Sequence, residues 1–241
     1  MALGTGAALW TLKLYPGAGE AGGCRGSVRE VRRGGRSSPD RVEAEAARRA
    51  KGKIRRYCAA NRLNRLGTLT YRGHGCHDPK ALRADVSRFF RSLRSGLGGD
   101  PFPYLWVPEW HPGGHGLHVH FAVGRFIKHS LIEQNWARGI VHIKLIGDLP
   151  VRSGTVEEAR IAGRYLGKYA AKSLDEGRVA GLHRYEVAQG FQPTWITCYG
   201  PTAADAIDAA STYMGASPSQ CWFSSALEGW HGPPACWLAW D

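Results

Sequence analysis

Six cysteines are spread through the 241 residues, and no two of them stand as Cys-x-x-Cys. Cys24, Cys58, Cys76, Cys198, Cys221 and Cys236 therefore offer neither a cysteine-built zinc module nor a disulfide framework. No uninterrupted apolar run reaches membrane-spanning length. The first residues show no basic stretch leading into a long apolar one, so no secretory signal is read there. Gly-x-x-x-x-Gly-Lys-Ser/Thr is missing too, which excludes a recognisable P-loop motor. These absences give a reducing, cytoplasmic setting as the expectation, with no membrane partner.

What the chain does have is positive charge. Lys and Arg outnumber Asp and Glu by 32 to 20, a net +12 with 43% hydrophobic residues. A folded domain of this balance points to an anionic partner, of which nucleic acid is the usual one. The length allows one good core and a small appendage.

Residues 1–39 are rich in Gly, Ala and Arg and read as a poorly ordered leader, with at most a short strand near Trp10 to Tyr15. Ser38-Pro39-Asp40 starts a helix, with Asp40 and Glu43 at capping-box spacing. From Arg41 to Arg65, nine Lys and Arg stand against two Glu, a phosphate-contacting or a solvated face. Leu66 to Tyr71 is a short strand. Asp78-Pro79 opens an amphipathic helix whose Leu82, Val86, Phe89, Phe90 and Leu93 recur at helical spacing. Pro103 to Trp110 and the run through His118 form an antiparallel hairpin around Pro112-Gly113-Gly114. Ser130 and Glu133 are spaced to cap a helix ending at Gly139, followed by a strand from Ile140 to Ile146. Thr155 and Glu158 are spaced to cap a helix running to about Ser173. Short strands near Tyr185 and Trp195 and a helix from Thr202 to Met214 follow. The last stretch, 216–241, holds Trp222, Trp230, Trp237 and Trp240, aromatics expected to pack on the main domain, 40–215, rather than to stack bases. The fold class is α+β, a central antiparallel sheet of about five strands flanked by helices.

Two stretches carry chemistry. In Gly116 to Gly124, His118 and His120 flank one valine on a strand and so project from one face, about 7 Å apart along it. Glu109 lies nine residues earlier, and folding the hairpin brings it roughly opposite them. Two imidazoles and a carboxylate with open positions suit a catalytic divalent cation, with Mg²⁺, Mn²⁺ and Zn²⁺ all possible on ligand type. His111 and His115, in the turn, are rival ligands. In Arg164 to Lys172, Tyr165 and Tyr169 are one helical turn apart and Lys168 and Lys172 repeat the offset. Val156, Gly163, Gly167, Ala170 and Leu174 fall on the other side of that helix, where small residues allow close packing. A phenol with a pKa of about 10 is a poor nucleophile at neutral pH unless cations beside it favour the phenolate.

His118-Val119-His120 resembles the histidine–hydrophobe–histidine signature of the HUH endonucleases. Tyr165-Leu166-Gly167-Lys168-Tyr169-Ala170-Ala171-Lys172 resembles the two-tyrosine motif of their rolling-circle replication initiators, of phage and plasmid type. Thr68-Leu69-Thr70-Tyr71 is similar to that family's upstream threonine-rich motif, and Glu109 stands where its acidic ligand does. The resemblance covers Leu66 to Lys172. It implies a replication initiator that nicks single-stranded origin DNA with a divalent metal ion, Mg²⁺ or Mn²⁺, through a 5′-phosphotyrosine. Glu109, His118 and His120 become the metal ligands, Tyr165 and Tyr169 the nucleophiles, and Lys168 and Lys172 electrostatic helpers. Thr68, Thr70, Arg55, Arg56 and Arg164 become supports or DNA contacts, and a host helicase and polymerase the partners. A transposase or relaxase of the same chemistry, or a DNA-binding repressor without catalysis, are the alternatives.

Overall fold

The computed structural model describes residues 8–26, 39–145, 156–172, 178–230 and 232–241. The chain forms two compact units: a middle unit, Ser37–Gln192, and a terminal unit built from both chain ends, Met1–Arg36 and Pro193–Asp241. This division differs from the one expected from sequence. Among the described residues, no helix is long and apolar enough to cross a membrane.

The middle unit is a five-stranded antiparallel sheet with helices on both faces. Its elements are α1 (Pro39–Ala60), β3 (Arg65–Leu69), α2 (Pro79–Gly96), β4 (Tyr104–Trp110), β5 (Leu117–Val123), α3 (His129–Trp136), β6 (Val141–Leu145), α4 (Val156–Ala170) and β7 (Glu186–Val187), after two strands of the terminal unit, β1 (Trp10–Tyr15) and β2 (Glu20–Arg25). The strand order is β6-β3-β5-β4-β7. Side chains alternate between faces along each strand. On one face Leu69, Val119, Phe121 and Trp106 pack with Phe89, Phe90 and Trp136 of α2 and α3. On the other, Leu66, Leu105, Val107 and Ala122 pack with Ile54, Tyr57, Ala162 and Leu166 of α1 and α4. With both faces covered, β5 is buried along its whole length.

The local signals explain most boundaries. Asp78 caps α2 by accepting from the Lys80 N–H at 2.8 Å, with Pro79 at the first helical position. Gly163 lets α4 lie against α1, because a Cβ there would stand 2.7 Å from the Arg55 Cα. One cap turns out otherwise. Helix α3 begins after Lys128 without a side-chain cap and stops at Ala137, in the left-handed region at φ 48°. Its Glu133 pairs with His129 at 3.3 Å instead of reaching back to Ser130. At α1, Glu43 pairs with Arg184, while the side chain of Asp40, its expected capping partner, lies outside the described ones. Ser38, Thr155, Leu174 and the Ser173 helix end lie outside the described residues.

The terminal unit corrects the reading of 1–39 as a leader. Residues Trp10–Tyr15 (β1) and Glu20–Arg25 (β2) form a tight hairpin through a one-turn 3-10 helix at Pro16–Ala18. They join β8 (Ile196–Gly200), β9 (Gln220–Phe223) and β10 (Ala235–Ala239) in the order β8-β1-β2-β10-β9. Helix α5 (Ala203–Met214), capped by a Thr202–Asp205 capping box, packs Ala206 and Ala210 over Leu12, Leu14, Cys198 and Leu238. The Trp-rich end is thus not an appendage, since Trp237 sits inside β10, between β2 and β9. Gly22 and Gly23, within the expected leader, are strand residues. A Cβ on Gly23 would stand 1.8 Å from the Thr11 carbonyl oxygen, so the hairpin closes only without one. Residues 1–7 and 27–38 of the expected leader lie outside the described ones.

Candidate active site

The β4–β5 register sets Glu109 directly opposite His118 and Val107 opposite His120, while β3 on the other side sets Thr68 opposite His120. Paired residues share a face, so Glu109, His118, His120 and Thr68 all point toward α1 and α4. Glu109 Oε2 lies 2.8 Å from His118 Nε2 and 2.9 Å from His120 Nε2, and the two Nε2 atoms are 3.0 Å apart. All three side chains are buried, at 4–7% exposure. Burial pushes the Glu109 carboxyl up, but the bonds to His118, His120 and Lys172 outweigh it and hold the group well below the usual carboxylate range. Burial lowers His120, against the raising pull of Glu109, and the neutral imidazole results.

This triad is the one group of potential ligands for a cation among the described residues. Two ligand atoms at right angles, each about 2.1 Å from a cation, stand about 3 Å apart. The three separations found match that spacing. Thr68 Oγ1 lies 3.1 Å from His120 Nδ1. With a cation in place of the proton shared with Glu109, an Nδ1–H donated to that hydroxyl would set the tautomer whose Nε2 lone pair faces the triad. With a carboxylate oxygen and two such lone pairs converging, the donor set fits a divalent cation. His118 has no such support among the described residues, where its Nδ1 is buried without a hydrogen-bond partner.

Helix α4 brings the phenols to the same place. Tyr169 stacks on His120, ring centroids 3.9 Å apart and planes 16° from parallel. The Tyr165 ring meets the same imidazole edge-on at 6.4 Å. The Tyr169 hydroxyl donates to the Tyr165 hydroxyl oxygen at 2.8 Å. Burial, that hydrogen bond and the nearby Glu109 charge raise Tyr169 well above an ordinary phenol, so it stays protonated. The Lys172 ammonium donates to Glu109 Oε1 and lies 5.8 Å from the Tyr169 ring centroid.

The structure sorts the remaining expected residues. Lys168 is exposed and makes no hydrogen bond or ion pair among the described residues, so only one of the two lysines reaches the cluster. Thr70 donates to the Ile140 carbonyl at 3.0 Å and fastens the sheet rather than a ligand. His111 accepts from the Gly113 N–H, His115 bonds the Tyr71 carbonyl, and both are exposed outside the triad. Arg55 and Arg56 are half-buried on α1, and exposed Arg164 pairs with Glu157 at 2.5 Å. Sequence reasoning missed Arg184. Its guanidinium donates to the Ala170 and Lys172 carbonyls at 2.8 and 3.0 Å and to Glu43, tying the end of α4 to α1. It lies in an irregular stretch without periodicity, and nothing in its neighbours marks it out.

Residues 64–174 match the family model of replication-associated proteins of the ORF2 type. That stretch is a little under half of the chain and contains every residue of the cluster just described. The match supports a replication-associated protein. No curated protein and no solved structure matches the chain.

Proposed function

We propose that the chain is a replication initiator of the HUH endonuclease type, a metal-dependent, site-specific nickase and strand-transferase acting on single-stranded DNA at an origin. One observation carries the reading: two hydrogen-bonded phenols lie against an imidazole of a buried Glu-His-His triad. A divalent cation held by Glu109, His118 and His120 would polarise the scissile phosphate and stabilise the charge that builds on its oxygens. Tyr165 is the first nucleophile, because the hydrogen bond donated by Tyr169 steadies negative charge on the Tyr165 oxygen. The Tyr165 oxygen loses its proton and bonds to phosphorus, the phosphorus–O3′ bond breaks, and the leaving 3′ oxygen takes up one proton, so that the exchange is proton-neutral overall. The products are a 5′-phosphotyrosyl link and a free 3′-hydroxyl able to prime synthesis. Tyr169, protonated until then, is placed for a second cleavage. Lys172 offsets the Glu109 charge, and the triad's burial keeps competing water away. Having no P-loop, the chain would depend on a host helicase and polymerase.

The test is a single-stranded DNA from the replicon's own origin region, labelled at its 3′ end and incubated with the protein and Mn²⁺. Label that stays on the denatured protein is the expected result, lost in the Tyr165→Phe/Tyr169→Phe double variant. Adduct persisting in that variant, or none with the natural chain on either strand, overturns the proposal.

A further inference from the structure

Beside the active site, α1 and the edge strand β7 enclose a cleft of about 500 Å³, within the range of ordinary small-ligand sites. Its walls are apolar and aromatic: Ala50 of α1, Val187 of β7, and Tyr185, whose half-buried ring also packs against the core beneath α1 and α4. Its charge is positive. Arg49 and Lys53, one helical turn apart, stand exposed on α1, Arg49 within 3.5 Å of Glu45, and nearly buried Arg184, paired with Glu43, lines the cleft as well. The cleft's one acid, Glu186, is offset by Arg83 at 2.9 Å.

The position of Arg184 links this cleft to the chemistry. The guanidinium that lines it holds the Ala170 and Lys172 carbonyls, at the end of the helix bearing both tyrosines. Lys172 in turn holds Glu109. A ligand resting on Arg184 is therefore one side chain removed from the last turn of the catalytic helix. An aromatic face together with two outward cations is the combination that takes a base and its phosphate, without reading its identity.

We propose that the cleft seats one nucleotide of the DNA strand flanking the scissile phosphate, its phosphate against Arg49 and Lys53 and its base on Tyr185. The proposal rests on the strand-cutting reading above and names a subsite for that substrate. A free nucleoside triphosphate offers the same chemistry, so the experiment must separate the two sources.

The full chain is titrated with a fluorescent single-stranded oligonucleotide at several salt concentrations, without divalent cation, so that binding is read without cleavage. Arg49→Glu/Lys53→Glu should raise Kd about tenfold and flatten the salt dependence by about 0.7, the share of the one phosphate no longer neutralised. Lys80→Glu/Arg91→Glu makes the same charge change on exposed positions of α2, over the opposite sheet face, and should shift Kd far less. An oligonucleotide carrying 5-bromodeoxyuridine should photo-crosslink to Tyr185, a readout that needs no variant to fold. Equal losses in both charge variants, or crosslinks only elsewhere, overturn the cleft. So does ATP displacing the Tyr185 crosslink while Arg49→Glu/Lys53→Glu leaves oligonucleotide affinity unchanged, since the cleft then serves a free nucleotide. Crosslinking at Tyr185 by a chain that forms no covalent adduct sinks the nicking reading alone. Adduct formation without that crosslink sinks the cleft alone.

Discussion

The two units share a plan, five antiparallel strands with helical cover, yet differ in charge and in what they bury. Of the 32 Lys and Arg, 26 fall between Ser37 and Gln192, with 14 of the 20 Asp and Glu. The middle unit therefore carries the whole net charge of +12, and the terminal unit none. The middle sheet buries Glu109, His118 and His120 side by side on the inner strands β4 and β5, whereas the other closes over Leu12, Leu14 and Leu238. Burying three polar side chains costs stability unless they are paired or hold an ion. The middle unit also buries Glu158 and Arg160, and the terminal unit Glu20, but among the described residues three such groups converge only beside the phenols. Architecture alone says little about function; the polar groups on the central strands say most.

The comparison can be broken most sharply by exchanging damage between the units. Glu109→Gln keeps shape but removes the charge of one ligand, and covalent adduct formation should fall about 10³-fold, some 4 kcal/mol of transition-state stabilisation. Leu14→Ala in the terminal unit should do the reverse, costing about 2–5 kcal/mol in urea unfolding while adduct yield per folded molecule holds. If Leu14→Ala abolishes chemistry without loss of stability, the units do not divide their roles in this way.

A smaller effect sharpens the account of the ligands. Thr68→Val leaves His120 in place but frees its Nδ1, and affinity for Mn²⁺, followed by calorimetry, should drop about 10- to 100-fold. An unchanged affinity would show that packing against Tyr169 alone orients the imidazole.

The smallest expected effect is on stability against pH in metal-free protein. His120 is depressed, so its neutral form is favoured by folding, and stability should begin to decline as pH falls below about 6.5. Glu109 is depressed as well. Its stabilisation is present above the unfolded value of about 4.3 and is lost as pH falls from there toward the folded one. Urea unfolding from about pH 8 to about pH 3 should show both declines, and Glu109→Gln should lack the lower one. A second decline that survives the substitution would belong to other carboxylates.

Much of the site was legible because its determinants are local. A strand's two-residue period puts His118 and His120 on one face, and a turn of nine residues' reach brings Glu109 opposite. A helix's period pairs Tyr165 with Tyr169. The same period misled at the lysines, where equal spacing implied equal roles. Helix α4 ends at Ala170, so Lys172 lies in the following turn, its N–H bonded to the Tyr169 carbonyl, and bends back to Glu109 while Lys168 stays outside. The terminal sheet was the larger loss. Glu20–Arg25 has two glycines and no alternation to announce a strand, and its partner β10 lies more than 200 residues along the chain.

By itself, then, the sequence determined the main elements of the middle unit, the grouping of Glu109 with His118 and His120, the paired phenols and the sign of the charge. Each of those follows from periodicity or composition within a few dozen residues. Only the tertiary structure decided which lysine reaches Glu109, that Arg184 fastens the tyrosine helix, and that the two chain ends build one sheet. Those depend on where a helix stops and on pairings between distant segments, which no local pattern encodes.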